Sequence, residues 1–140
     1  MNNRDSQRPV PGYDGGMSPS TWLLVVAALA VAAWFVVRRV ALIPLRQARE
    51  LLARGATVID VRSPAEFNSG HVPNAINLPL ETLTERIQAV VKDQDAPVLL
   101  HCLSGGRSAL ARRRLRRLGY SRAYNLGSLD RAQQLLETPP

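Results

Sequence analysis

The pattern of hydrophobic and polar positions divides the chain into three regions. Residues 1–20 (MNNRDSQRPVPGYDGGMSPS) follow neither a two-residue nor a 3.6-residue repeat. They are rich in Gly, Pro, Ser and Asn and read as a disordered polar tail. Residues 21–37 (TWLLVVAALAVAAWFVV) hold no charge over 17 positions. As a helix they would run about 26 Å at ~1.5 Å per residue, so a transmembrane helix is expected there, with residues 21–43 forming that helix and its juxtamembrane segment. Trp22 and Trp34 stand toward its two ends, where indole rings suit the membrane interface.

From residue 44 to residue 140 the pattern alternates between two periods. Pro44 suits a first helical position, and Leu45, Ala48 and Leu52 share a helix face before Gly55. The run TVIDV at 57–61 is β-branched and apolar, as in a buried strand. A helical turn is expected at 64–68 and a short extended run at 75–78. Leu80, Leu83, Ile87 and Val90 recur at helical spacing, and PVLLH at 97–101 is a second buried strand. Ala111, Leu115 and Leu118 predict a helix with that face buried, ended by Gly119. A strand at 123–126 and a helix carrying Leu129, Ala132 and Leu136 complete the series. Strands alternating with helices imply an α/β domain with a central, mostly parallel sheet flanked by helices. In such sheets ligands bind beyond the carboxyl ends of the strands.

Charge adds an orientation. The net charge is +7. Arg38, Arg39, Arg46 and Arg49 follow the apolar run, whereas Arg4 and Arg8 precede it beside Asp5 and Asp14. The positive-inside tendency then predicts a single-pass protein of the inner or plasma membrane with its C-terminal domain in the cytoplasm. The run RRRLRR at 112–117 reads first as a solvated helix face. Anionic lipid is the alternative contact, because the expected anchor would tether the domain near headgroups. Nucleic acid is disfavoured, since aromatic residues are sparse and no reading motif occurs. No cofactor and no metal is expected.

Cys102 is the sole cysteine, so no intramolecular disulfide can form. It lies in HCLSGGRS, residues 101–108, directly after a buried strand. Gly105 and Gly106 let the backbone curl so that successive N–H groups point inward, and the helix that follows adds its own free N–H groups. A thiol inside such a ring is driven toward thiolate. Arg107 adds a cation at the rim. The result is an activated nucleophile facing an anionic substrate. Cysteine phosphatases have five residues between Cys and Arg, and here Leu103, Ser104, Gly105 and Gly106 make four. The tighter ring suits a single sulfur atom better than a phosphoryl group.

Two segments resemble the rhodanese-domain family of sulfurtransferases. HCLSGGRS is similar to its six-residue active loop, and VIDVRSPAEFNSGHVPNAINLP, residues 58–79, to its Asp-Val-Arg, Glu-Phe and Gly-His-x-Pro signature. The resemblance covers roughly residues 44–128 and a single domain of this kind. It implies that Cys102 takes a sulfane sulfur from a donor such as thiosulfate, holds it as a persulfide, and yields it to a thiol or cyanide. The N–H groups of Leu103, Ser104, Gly105, Gly106, Arg107 and Ser108 would stabilise the sulfur, with Arg107 completing the loop or holding the donor. Asp60 and Arg62 are expected to support the site: Asp60 by anchoring N–H groups near the loop, Arg62 by pairing with Glu66 four residues on. His71 and His101 are read as structural, His101 pointing to the opposite sheet face from Cys102. Many family members end in a Gly-Gly turn and an Ala-Trp pair, whereas this chain has Gly127-Ser128-Leu129-Asp130. That departure leaves a second expectation open, a non-catalytic rhodanese-like binding or regulatory module at the membrane, beside a membrane-anchored sulfurtransferase.

Overall fold

A computed structural model describes residues 18–40 and 42–137. The expected polar tail lies outside the described residues except for its last three. The chain divides into two compact units at the junction of Val36 and Val37.

Helix α1 (Pro19–Val40) occupies the first unit and its junction. It begins two residues before the uncharged run because the Ser18 hydroxyl accepts from the Thr21 N–H and Pro19 suits the first turn. Its side chains from Trp22 to Phe35 are exposed. Among the described residues no helix is long and apolar enough to cross a membrane. This corrects the expected transmembrane anchor and the single-pass, cytoplasm-facing localisation. The physical reason is the extent of the apolar stretch. The helix has 22 residues, but its apolar part, 21–37, has 17, while the hydrocarbon core of about 30 Å asks for about 20, and Arg38 and Arg39 follow within the same helix. Without that anchor, nothing among the described residues tethers residues 112–117 near anionic lipid.

The second unit is built on a four-stranded parallel sheet. Its strands are β1 (Thr57–Asp60), β2 (Ile76–Asn77), β3 (Val98–His101) and β4 (Ala123–Gly127), in the spatial order β2-β1-β3-β4. Helices α2 (Leu45–Ala53), α3 (Pro64–Asn68), α4 (Leu83–Val90), α5 (Gly106–Arg117) and α6 (Leu129–Glu137) connect and cover it. Both faces are packed. Ile59, Leu100 and Cys102 point to the face covered by Leu83 and Ile87 of α4 and Ala111 and Leu115 of α5. Val58, Leu99 and Leu126 point to the face covered by Ala48 and Leu51 of α2 and Ala132 and Leu135 of α6. The centre of β3 is therefore fully buried, which is why it reads as an unbroken apolar run.

Three details differ from the sequence pattern. In α2 and α6 the expected Ala48 and Ala132 are buried, but Leu51 and Leu135 are the buried leucines, one residue before the expected Leu52 and Leu136, which are only partly buried. Leu118 is 42% exposed, because α5 ends at Arg117 and the chain turns away at Gly119 before the helix can present a third apolar turn. Finally, Leu42 and Ile43 run beside β4. The Ile43 N–H donates to Asn125 O, and Arg131 Nη2 donates to Ile43 O.

Candidate active site

Cys102 follows the last residue of β3. Its N–H donates to Gly127 O at 3.1 Å, which fixes the nucleophile's backbone to the neighbouring strand. A β-bulge makes that contact. Leu100 pairs with Asn125 but His101 pairs with Gly127, so Leu126 is the extra residue. The departure from the Gly-Gly pattern sits here: Gly127 and Ser128 lead directly into α6, Ser104 bridges to Ser128, and the Leu129 N–H donates to Leu103 O at 3.4 Å.

The loop then curls around the sulfur. Gly105 has φ 94° and caps α5, and its N–H donates to Cys102 Sγ at 3.1 Å. A Cβ on Gly105 would stand 3.4 Å from Gly127 Cα, an ordinary contact, so it is the left-handed dihedral that calls for glycine. Cys102 is 1% exposed and sits on the floor of the loop, with the apolar sheet face beneath. Burial is the largest influence on its thiol and raises the pKa. The N–H and hydroxyl of Ser108 and the N–H groups of Gly105 and Ser104 together outweigh it, leaving the thiol below its ordinary value. Of the residues expected to form the ring, Ser104, Gly105 and Ser108 thus bear on the sulfur. Gly106 opens α5, and the side chain of Leu103 is 57% exposed at the rim.

Arg107 reaches out of the loop to α3. Its Nη1 and Nη2 donate to Glu66 Oε2 and Oε1, both at 2.7 Å. Glu66 also closes a capping box on α3, accepting from the Ser63 N–H while its own N–H donates to Ser63 Oγ. The guanidinium therefore locks the active loop to α3. Its hydrogen bonds, and next the Ser63 N–H, hold the Glu66 carboxyl down at about 2.

The expected pair of Arg62 with Glu66 does not form. Arg62 turns to Asp60, with Nε and Nη2 on Oδ2 at 2.9 and 2.6 Å, and its N–H on Oδ1 at 2.9 Å. Residues two apart in extended chain share a face, and the capping box had already committed Glu66 elsewhere. Nor does Asp60 reach N–H groups of the loop: the N–H that it anchors is that of Arg62. Arg62 Nη2 also donates to Gly70 O at 2.7 Å, and Asn77 Nδ2 donates to the carbonyls of Asp60 and Arg62. This buried network holds the segment that carries α3, and so acts on the loop through Glu66. The role of Asn77 has no local sequence signal.

His101 lies across from Asp60 in register, with Nε2 3.9 Å from Oδ2. It is fully buried, and neither ring nitrogen has a hydrogen-bond partner among the described residues. Desolvation lowers its pKa, so the ring is neutral. His71 stacks on Phe67 at 3.8 Å and lies 3.0 Å from Phe67 O.

In the run 112–117, Arg114 Nη1 donates to Leu80 O at 2.8 Å and Arg116 Nε to Ala123 O at 3.4 Å, so two of the five arginines fasten α5 to the domain.

The family model for the rhodanese-like domain matches residues 45–132. A thiosulfate sulfurtransferase of Escherichia coli K12, PspE, is 39% identical over 71 residues, covering 51% of this chain and 68% of that protein. The thiosulfate sulfurtransferase GlpE of Pseudomonas syringae is 33% identical over 84 residues, covering 60% and 77%. Among solved structures, the human single-domain sulfurtransferase TSTD1 superposes with a TM-score of 0.56 at 28% identity, covering 71% of this chain and 98% of that one.

Proposed function

The chain belongs to the rhodanese-like domain family and is a rhodanese-type sulfurtransferase; from that premise we propose that the transferred sulfur is carried on Cys102 and comes from a small anionic donor such as thiosulfate. The Cys102 thiolate attacks the outer sulfur of the donor. A new S–S bond forms, and the donor's own S–S bond breaks with its electron pair leaving on sulfite. An acceptor thiolate or cyanide then attacks the outer sulfur of the persulfide, and the electron pair of that bond returns to Cys102.

The single observation that carries this reading is the 3.1 Å contact of the Gly105 N–H with Sγ inside a loop of four residues between Cys102 and Arg107. Amides aimed at the sulfur stabilise charge wherever it sits on Cys102, in the thiolate before attack and again as the acceptor leaves. Near-complete burial of Cys102 favours a donor that offers one terminal sulfur atom. Glu66 occupies the guanidinium of Arg107, so Arg107 acts by holding the loop in shape. Asp60 and Arg62 support the same loop from behind.

The test is steady-state turnover of thiosulfate with cyanide as acceptor. Thiocyanate should form with the wild-type chain and not with Cys102→Ser. Equal turnover by Cys102→Ser would remove Cys102 from the chemistry.

A further inference from the structure

Ser108 is fully buried in the first turn of α5, and its hydroxyl has one proton to give. Four acceptors surround it. Asn125 Oδ1 is at 2.8 Å, Gly105 O at 3.1 Å, Gly127 O at 3.3 Å and Cys102 Sγ at 3.7 Å. The sulfur, where the chemistry occurs, is the most distant of the four. The nearest is the side chain of Asn125, buried on β4. Asn125 belongs to none of the motifs that drew attention to the loop.

A carboxamide can meet a hydroxyl with either end. Its carbonyl takes the hydroxyl proton. Its NH2 group donates to the hydroxyl oxygen and frees that proton for another acceptor. We propose that Asn125 is a positioning residue for sulfur transfer: the end of its amide turned toward Ser108 decides whether the hydroxyl proton is held away from Cys102 Sγ or delivered to it. This rests on the reading of Cys102 as the nucleophile.

The arrangement matches the two charge states of the sulfur. A protonated thiol is a weak acceptor, and the proton of Ser108 stays on Asn125 Oδ1, as in the structure. A thiolate or persulfide anion is a far stronger acceptor. A half-turn of the amide then gives Asn125 Nδ2–H to Ser108 Oγ and Ser108 Oγ–H to sulfur. No covalent bond changes, and the amide keeps its outline, so the packing of β4 against α5 is undisturbed. Asp at this position could only accept at neutral pH, and Leu could do neither. The charged and titratable groups on the elements around the loop are Arg107 on α5 with Glu66 of α3 behind it, and, toward the other sheet face, Asp60 on β1, Arg62 and the neutral His101 on β3. The variants below leave all of them in place.

The test is a double-mutant cycle read by the pH midpoint of iodoacetamide alkylation of Cys102 in the full chain. This readout needs no sulfur donor, so it does not depend on turnover. Ser108→Ala should raise the midpoint by about one pH unit, a tenfold loss of thiolate at a given pH. Asn125→Leu should raise it by about half a pH unit, a several-fold loss of thiolate, in the Ser108 background and leave it unchanged in the Ser108→Ala background. Asn125→Asp, nearly the same shape, covers the case in which Asn125→Leu does not fold. Its charge acts in both backgrounds, so the excess shift seen with Ser108 present measures the relay. Equal shifts in the two backgrounds would overturn the proposal. A non-additive cycle in a protein that takes no sulfur from thiosulfate would uphold the Asn125–Ser108–sulfur link and reject the nucleophile reading instead.

Discussion

Arg107 and Glu66, 41 positions apart in the chain, meet through two parallel 2.7 Å hydrogen bonds that join the active loop to α3. The planar fork of the guanidinium matches the carboxylate, and a lysine cannot reproduce that fit. Glu66→Gln and Arg107→Lys should each lower the melting temperature and slow persulfide formation roughly tenfold, the equivalent of one lost transition-state contact. Thermal melts and single-turnover kinetics check both. Unchanged kinetics in Glu66→Gln would show that the loop keeps its shape unaided. The Glu66 carboxyl sits at about 2, against 4.5 when unperturbed. Its contribution is therefore fully present above about pH 4.5 and is lost as the pH falls toward 2.

Gly105 sets both the turn and one donor to the sulfur. Gly105→Ala forces a β-carbon into a left-handed conformation. The expected cost is about 1–2 kcal/mol in urea unfolding, together with slower alkylation of Cys102 at pH 7 as the N–H is displaced. A variant as stable and as reactive as wild type would contradict the loop geometry.

His101 gives a distinct pH signature. Its folded-state pKa is lowered, chiefly by burial, so below about pH 6.5 the unfolded chain takes up a proton that the folded chain resists. The stability that it contributes is present above that pH and is lost as the pH falls below it. His101→Leu should flatten stability between pH 7.5 and 5.5 relative to wild type, as read by denaturant titration. Parallel pH profiles would mean that the buried ring finds a proton partner after all.

The thiol itself should titrate early. Amide and hydroxyl donors outweigh burial at Cys102, so the alkylation midpoint is expected below the free-cysteine value of about 8.5. A midpoint at or above that value would place the amides too far from the sulfur to act.

Much of this was legible in the sequence because the governing physics is local. Alternation of buried strands and amphipathic helices yields β1, β3 and the parallel sheet, and glycine spacing after β3 yields the curled loop around Cys102. What escaped is tertiary. Arg62 could be assigned to Glu66 by helical spacing, yet Asp60 lies on the same face of extended chain two residues away, and Ser63 had claimed Glu66 for a capping box that the sequence SPAE does spell out. The bulge at Leu126, the strand-like run of Leu42 and Ile43, and the meeting of Asn125 with Ser108 depend on pairing between distant segments and leave no periodic trace. The apolar run at 21–37 shows the opposite error. Its composition favoured a membrane span, yet among the described residues no helix is long and apolar enough to cross one.

Intact-mass spectrometry of the protein after incubation with thiosulfate puts the most direct question to the loop. The expected result is a gain of one sulfur atom on the wild-type chain, removed by cyanide and absent in Cys102→Ser. An unchanged mass in a folded, reduced protein, or the same gain in Cys102→Ser, would contradict a sulfur carried at Cys102.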